Sequence, residues 1–264
     1  MSWRTFRRRW AEVGSVALVI FFAWNLAAFQ SCGVPEASLR SDGCITVTED
    51  DEMLRFQPCR AQPMGLIFFP GSLVEPEAYA PFLRSVAEAG HPAVLVKLPL
   101  RGYATDAAYI EGAYRARTVL ASGSWMIGGH SKGGFYATEY AGRNPEAGGA
   151  KGLILVGTTH PRDRDLSQLA IPVTKILATR DRIAPVKRAR QNAARLPPGT
   201  QWVLIRGGNH SQFAHCGFLF GDRRAAISRD QQQKELVAAV VKALRNKRRS
   251  GDLPGDAAEQ VGRQ

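Results

Sequence analysis

The chain has 264 residues, 45% of them hydrophobic, and a formal net charge of +12. That length and apolar content suit one α/β domain with appendages. The basic excess raises nucleic acid as a partner. However, the cations are spread along the chain, with local runs only at Arg7-Arg8-Arg9 and at Arg245, Lys247, Arg248 and Arg249. Zinc spacing, RNA-binding signatures and basic helices interleaved with aromatics are all missing from the sequence, so no nucleic acid partner is expected. The charge reads instead as solubility and attraction to anionic lipid headgroups.

In chain order, residues 1–32 read as a signal or anchor segment. Arg4, Arg7, Arg8 and Arg9 precede an apolar stretch from Val13 to Phe29, broken by Gly14, Ser15 and Asn25. At roughly 17 residues the stretch lies at the lower edge for a membrane-spanning helix. Positive charge before it predicts a single-pass arrangement with the following domain outside the cytoplasm. Cleavage near Ala27–Ser31 would export the domain instead; an uncleaved anchor at the cell membrane is favoured. Residues 33–43 read as a linker, 44–244 as the domain, and 245–264 as a disordered basic tail.

Ile45–Thr48 and Met53–Phe56 read as a hairpin around Glu49-Asp50-Asp51-Glu52. Folding it brings Cys44 and Cys59 together, and an exported domain permits a disulfide between them. From Gly65 onward, continuous apolar strands alternate with helices. The strands are Leu66–Phe69, Ala93–Val96, Ser124–Ile127, Gly152–Val156, Val173–Ala178 and Trp202–Ile205. The helices are Pro76–Glu88, Asp106–Ala121, Lys132–Arg143, Pro185–Leu196 and Gln231–Leu244. This alternation predicts a mostly parallel sheet with helices on both faces. About a dozen residues separate Val156 from Val173, which leaves no room for a large cap.

Gly129-His130-Ser131-Lys132-Gly133 matches G-x-S-x-G, between a predicted strand and a predicted helix. Small residues on either side let the chain turn sharply and leave the serine hydroxyl exposed. A serine hydroxyl needs a base, and the base needs a carboxylate to orient it. Asp181 and His210 each follow a later strand, in the order Ser, acid, His. Asp163 and Asp165 are the competing acids and His215 the competing base, while His160 and His91 read as ordinary loop residues. The developing oxyanion needs N–H donors. One is assigned to Lys132 and the other to Ser72, in Pro70-Gly71-Ser72-Leu73, with Leu73 as its alternative. Gly71, Leu73 and His130 are expected at the substrate site, with the His130 side chain pointing away from the serine and packing near it. No metal-ligand spacing is present, and neither metal nor organic cofactor is required by this chemistry.

Three stretches reinforce that order: Phe69–Tyr79, Val96-Lys97-Leu98-Pro99-Leu100 and Gly207-Gly208-Asn209-His210-Ser211-Gln212-Phe213. With the elbow they make residues 65–244 resemble the α/β-hydrolase superfamily, within its dienelactone-hydrolase-like group (fold 5). The resemblance implies an eight-stranded sheet with one antiparallel strand and a Ser-His-Asp triad. It implies no particular substrate. The dienelactone hydrolases proper carry a cysteine nucleophile where this chain has Ser131, which favours esterase chemistry. The expected activity is therefore hydrolysis of a small-molecule carboxylic ester, thioester or amide. Acyl transfer on the same triad and a non-catalytic binding protein on the same fold are the alternatives.

Overall fold

The apolar runs form one sheet of eight strands: β1 (Ile45–Glu49), β2 (Met53–Pro58), β3 (Met64–Phe69), β4 (Ala93–Val96), β5 (Ser124–His130), β6 (Ala150–Val156), β7 (Val173–Ala178) and β8 (Gln201–Ile205). The computed structural model describes residues 3–102, 104–143 and 149–246. Strand order is β1-β2-β4-β3-β5-β6-β7-β8. Strand β2 runs antiparallel to β1 and β4, and the remaining pairs are parallel. The expected hairpin is thus also the bridge that fastens β1 to the parallel sheet, through Leu54 opposite Leu95.

Helices α1 (Trp3–Ala28), α2 (Ala80–Glu88), α3 (Asp106–Val119), α4 (Lys132–Arg143), α5 (Val186–Gln191) and α6 (Arg229–Arg245) complete the fold. Their starts follow capping chemistry. Ser228 Oγ accepts the Gln231 N–H at 3.1 Å and Thr105 Oγ1 that of Ala108 at 3.4 Å, each satisfying a donor the first turn leaves open. Alternation along β3 sends Phe68 to one face and Phe69 to the other. Phe68 packs with Tyr79, Phe82 and Leu236 in one core, and Phe69 with Tyr109, Tyr136 and Ile127 in the second. Burying each such side chain contributes about 1.5–3 kcal/mol. The stretch between β6 and β7 contains no helix, so no helical cap rises over the elbow from that side.

Several details differ from the sequence reading. Within the expected linker, Glu36–Leu39 forms a 3-10 turn with Ser38 buried. Arg84 donates to Arg40 O at 2.7 Å and pairs with Asp42, which fastens this segment to α2. The expected bridge between Cys44 and Cys59 is absent: both are free, exposed thiols. The hairpin does bring the two together: Cys59 N–H donates to Cys44 O at 2.7 Å, and the two thiols are hydrogen-bonded. Helix α1 covers the apolar N-terminal stretch, yet among the described residues no helix is long and apolar enough to cross a membrane. Gly14, Ser15 and Asn25 interrupt its apolar run. Of the expected tail, Arg245 ends α6, and residues 247–264 lie outside the described residues.

Candidate active site

Crowding of the backbone dictates the elbow. A Cβ on Gly129 would lie 2.2 Å from the carbonyl carbon of Gly133. One on Gly133 would lie 2.1 Å from the Phe69 carbonyl oxygen and 2.5 Å from that of Pro70. Both positions therefore exclude any side chain. Between them Ser131 sits at φ 53°, a left-handed conformation that ordinary residues enter only when the surroundings impose it. Ser131 N–H donates to Val156 O at 3.0 Å, and Ser131 O accepts Gly134 N–H at 3.1 Å, which locks the turn between β5 and α4.

At the same end of the sheet, Asp181 follows β7 and His210 follows β8. His210 Nδ1 and Asp181 Oδ2 are 2.8 Å apart, and both side chains are almost fully buried. Asp181 Oδ1 accepts Ala184 N–H at 2.6 Å, so the carboxylate is held from both sides. An ionised carboxylate only accepts, so Nδ1 carries the proton and Nε2 is the basic nitrogen. The His210 ring lies 4.6 Å from that of His130, the residue before Ser131. Among the described residues, no hydrogen bond joins the Ser131 hydroxyl to His210. Such contacts are often long before substrate binds.

The loop after β3 meets the elbow from the other side. A Cβ on Gly71 would lie 3.6 Å from Ser131 Cβ and 3.0 Å from Tyr79 Oη. Gly71 N–H donates to Tyr79 Oη at 2.8 Å, and Tyr79 Oη lies 2.8 Å from His130 Nδ1. Having accepted from Gly71, the tyrosine donates to His130. Burial, then the neighbouring His210, holds His130 well below the usual imidazole pKa, so it is neutral. His130 is correspondingly sealed among Tyr79, His210 and Phe213. Its side chain packs near the site, as expected, but is buried there and buttresses the loops instead of lining an open substrate surface.

Leu73 is corrected as an oxyanion donor. Its N–H donates to Arg101 O at 2.5 Å, and its φ is 66°. Ser72 N–H has no such partner among the described residues. A Cβ on Gly102 would approach Ser72 Cα to 3.1 Å, so the turn after β4 braces this loop. Lys132 opens α4, where a helix leaves its first N–H groups unsatisfied. Ser131, Lys132, Ser72 and Leu73 all retain partial access to solvent.

The competing residues go elsewhere. Asp163 and Asp165 are exposed, and Asp165 accepts Ser167 N–H at 2.8 Å. His215 Nδ1 faces Gly33 O at 3.1 Å, and His91 Nδ1 faces Met64 O at 2.8 Å. His160 packs against Phe135 with its ring tilted by 59°, and burial pushes its pKa down to about 3.

Sequence reading missed two supports of the histidine loop. Asp222 Oδ2 accepts both Ser211 N–H (2.9 Å) and Ser211 Oγ–H (2.7 Å), and its Oδ1 accepts Arg182 N–H at 3.3 Å. It therefore ties the residue after His210 to the residue after Asp181. Gln232, fully buried on α6, clamps Asn209 with its amide: Oε1 accepts Asn209 N–H at 2.9 Å, and Nε2 donates to Asn209 O at 2.7 Å. No local motif marks either residue, since each works through a partner distant in sequence.

The model of the alpha/beta hydrolase family matches residues 65–234, more than half of the chain. The chain belongs to this family. Among curated proteins none matches the chain. Solved structures share the fold at low identity. A predicted CIB-like hydrolase from Thermoplasma acidophilum is 13% identical with a TM-score of 0.56, covering 75% of this chain and 97% of its own. Carboxyl esterase 2 from the mycorrhizal fungus Tuber melanosporum is 10% identical with a TM-score of 0.55, covering 81% and 90%. Est1E from Butyrivibrio proteoclasticus, with ferulic acid bound, is 12% identical with a TM-score of 0.54, covering 78% and 98%. These likenesses are to the fold of this alpha/beta hydrolase.

Proposed function

We propose that the chain is a serine hydrolase that cleaves a small carboxylic ester, thioester or amide through an acyl-enzyme. The observation that carries this reading is the joint placement of two features at one sheet edge: a strained serine at φ 53° and a buried Asp181–His210 pair. In this reading Ser131 Oγ attacks the carbonyl carbon while His210 Nε2 takes its proton. Asp181 holds the imidazole's tautomer and stabilises the cation that forms. The oxyanion is held by the N–H groups of Lys132 and Ser72. His210 then returns the proton to the leaving alcohol, thiol or amine. Water, deprotonated by His210, attacks the acyl carbon; Ser131 departs, is reprotonated, and the acid is released.

Labelling with a fluorophosphonate probe tests the assignment. The wild-type chain is expected to label at Ser131, and Ser131→Ala is expected not to. Labelling that survives the substitution refutes the nucleophile, and an unlabelled wild type favours a non-catalytic binding protein. Acyl transfer is separated by analysing products with an added alcohol or amine.

The same reading places the protein at a membrane through α1. Support comes from the apolar side chains that α1 leaves in solvent, among them Val16, Val19, Ile20 and Leu26, and from the basic excess of the chain. Partition of the full-length chain into the membrane fraction, resistant to high salt, is the expected result. Recovery as a freely dispersed protein after high salt would reject it.

A further inference from the structure

Helix α1 joins the domain at the catalytic edge. Ala28 is buried against Gly217, where a Cβ would lie 2.9 Å from Ala28 Cα, and Gly217 N–H donates to Ala28 O at 2.8 Å. Ser31 pairs with Cys216, and Cys32 N–H donates to His215 O at 2.7 Å. These partners all lie in the loop that carries His210. On the other side, Ser31 N–H donates to Glu75 Oε2 at 2.7 Å, and Glu75 Oε1 pairs with Arg101 at 2.9 Å, whose carbonyl holds Leu73. The helix therefore leaves the domain from between the two loops that flank Ser131.

The same edge carries unusual apolar exposure. Leu100 is 80% exposed, Phe220 61%, Phe218 40% and Ile183 37%. Leu100 lies in the turn bracing Ser72, Ile183 in the Asp181 loop, and both phenylalanines in the His210 loop. The Asp181 and His210 loops, and the turn that braces the Ser72 loop, thus each offer an apolar side chain outward. Phe220 further makes edge contacts with Phe21 and Trp24 of α1, at 5.1 and 6.0 Å between ring centres, which makes the rim continuous with the apolar helix. Exposed arginines at positions 182, 223 and 224 stand among these residues. The acidic hairpin at the far end of the edge is largely neutralised, with Glu49, Asp50 and Glu52 paired to Lys97, Arg55 and Arg115.

We infer that the catalytic edge rests on an anionic phospholipid bilayer and that the ester it cleaves is carried in that bilayer. This rests on the serine hydrolase reading for its chemistry, but the docking surface stands on the rim and on α1. Apolar side chains at the lip of the site enter the headgroup region, while the arginines meet lipid phosphates. A lipid-borne acyl chain then reaches Ser131 without crossing bulk water.

Two measurements on the full-length chain test it separately from catalysis. The first is hydrogen exchange of Ser131→Ala in phosphatidylglycerol-containing vesicles and in detergent. Slower exchange in vesicles is expected at residues 96–102, 180–185 and 216–222 together. Unchanged exchange at these loops overturns the inference, whatever the protein hydrolyses. The second compares the wild type with Leu100→Ser/Ile183→Ser/Phe218→Ser on two esters: a long-chain p-nitrophenyl ester embedded in those vesicles, and p-nitrophenyl acetate in solution. The ratio of embedded to dissolved rates is expected to fall on the order of tenfold in the variant. An unchanged ratio overturns the inference, as does a self-associated protein whose loops are protected equally without lipid, which would assign the rim to a second copy. Fluorophosphonate labelling of the wild type in the same vesicles reports the hydrolase reading by itself. Protected loops in Ser131→Ala together with an unlabelled wild type would retain the surface and reject the chemistry.

Discussion

Two glycine-containing turns of helix behave in opposite ways. At the entry to α4, a Cβ on Gly133 would collide with two carbonyl oxygens, and one on Gly129 with Gly133 itself. Along α1, a Cβ on Gly14 would meet nothing within 4 Å. The first region is fixed by its own chain: β3, β5 and the turn between β5 and α4 press backbone on backbone, and Ser131 is forced to φ 53° as a result. The second region carries large apolar side chains with no such enclosure, so its sequence reports on surroundings more than on internal packing. Strain accumulates where the scaffold can hold it, and apolar exposure accumulates where something outside the chain can cover it.

The largest effect belongs to the rigid region's chemistry. Asp181→Asn is expected to leave the fold intact but lower turnover on the order of 10⁴-fold, because the imidazole loses the partner that fixes its tautomer. Steady-state kinetics on a dissolved ester would show this, and a near-normal rate would remove Asp181 from the acid's role. Next comes Gly133→Ala. Relieving a 2.1 Å approach to Phe69 O requires β3 and α4 to separate. The expected loss is about 3 kcal/mol or more in a denaturant titration, together with loss of fluorophosphonate labelling. A stable, labelled alanine variant would break the claim that crowding dictates the elbow.

Asp222→Ala probes how far that rigidity extends. It removes the acceptor for Ser211 N–H, Ser211 Oγ–H and Arg182 N–H, so buried donors lose their partner at a cost of about 1–3 kcal/mol. As a positioning residue it should lower kcat with little change in KM, and Asp222→Glu should recover part of the rate. A loss confined to stability would make Asp222 structural only.

Lys175 sharpens the picture of the same scaffold by pH. It is fully buried on β7, its ammonium donates to His160 O, and burial followed by repulsion from Arg162 pushes its pKa from 10.5 down to about 7. Between those values the folded chain binds fewer protons than the unfolded one, so stability rises with pH across that window. From pH 7 to 9 the rise attributable to Lys175 is on the order of 2 kcal/mol. Lys175→Met should flatten it in paired denaturation curves. A variant with the same slope as wild type would show that another group titrates there.

Much of this architecture is legible in the sequence because local rules and the global fold agree. Continuous apolar strands, the glycine spacing around Ser131 and the positions of Asp181 and His210 after their strands each follow from short-range chemistry. What escaped reading depends on partners distant in the chain. Tyr79 falls on the apolar side of a helical pattern, and nothing local shows that its hydroxyl links Gly71 to His130. Gln232 lies 23 residues from Asn209, which its amide clamps. The strap at Ala28–Gly33 reads as the end of an anchor, yet it is hydrogen-bonded to the His210 loop and to Glu75. His130 packs near the site as its position beside the serine suggests, but its hydrogen-bond partner, Tyr79, lies 51 residues away and no local signal names it.

The smallest expected effect tests the other half of the comparison. Gly14→Ala adds a methyl group where nothing lies within 4 Å, so no contact is gained or lost within the domain. The change acts on α1 alone, whose helical form gains about 1 kcal/mol in propensity. Domain unfolding, followed in denaturant, should move by less than about 0.5 kcal/mol. Helix content of the full-length chain by circular dichroism should hold or rise slightly. If instead the substitution destabilised the domain as Gly133→Ala is expected to, the outer half of α1 would have to pack on the domain. The apolar helix would then be an internal element, and the contrast with the elbow would disappear.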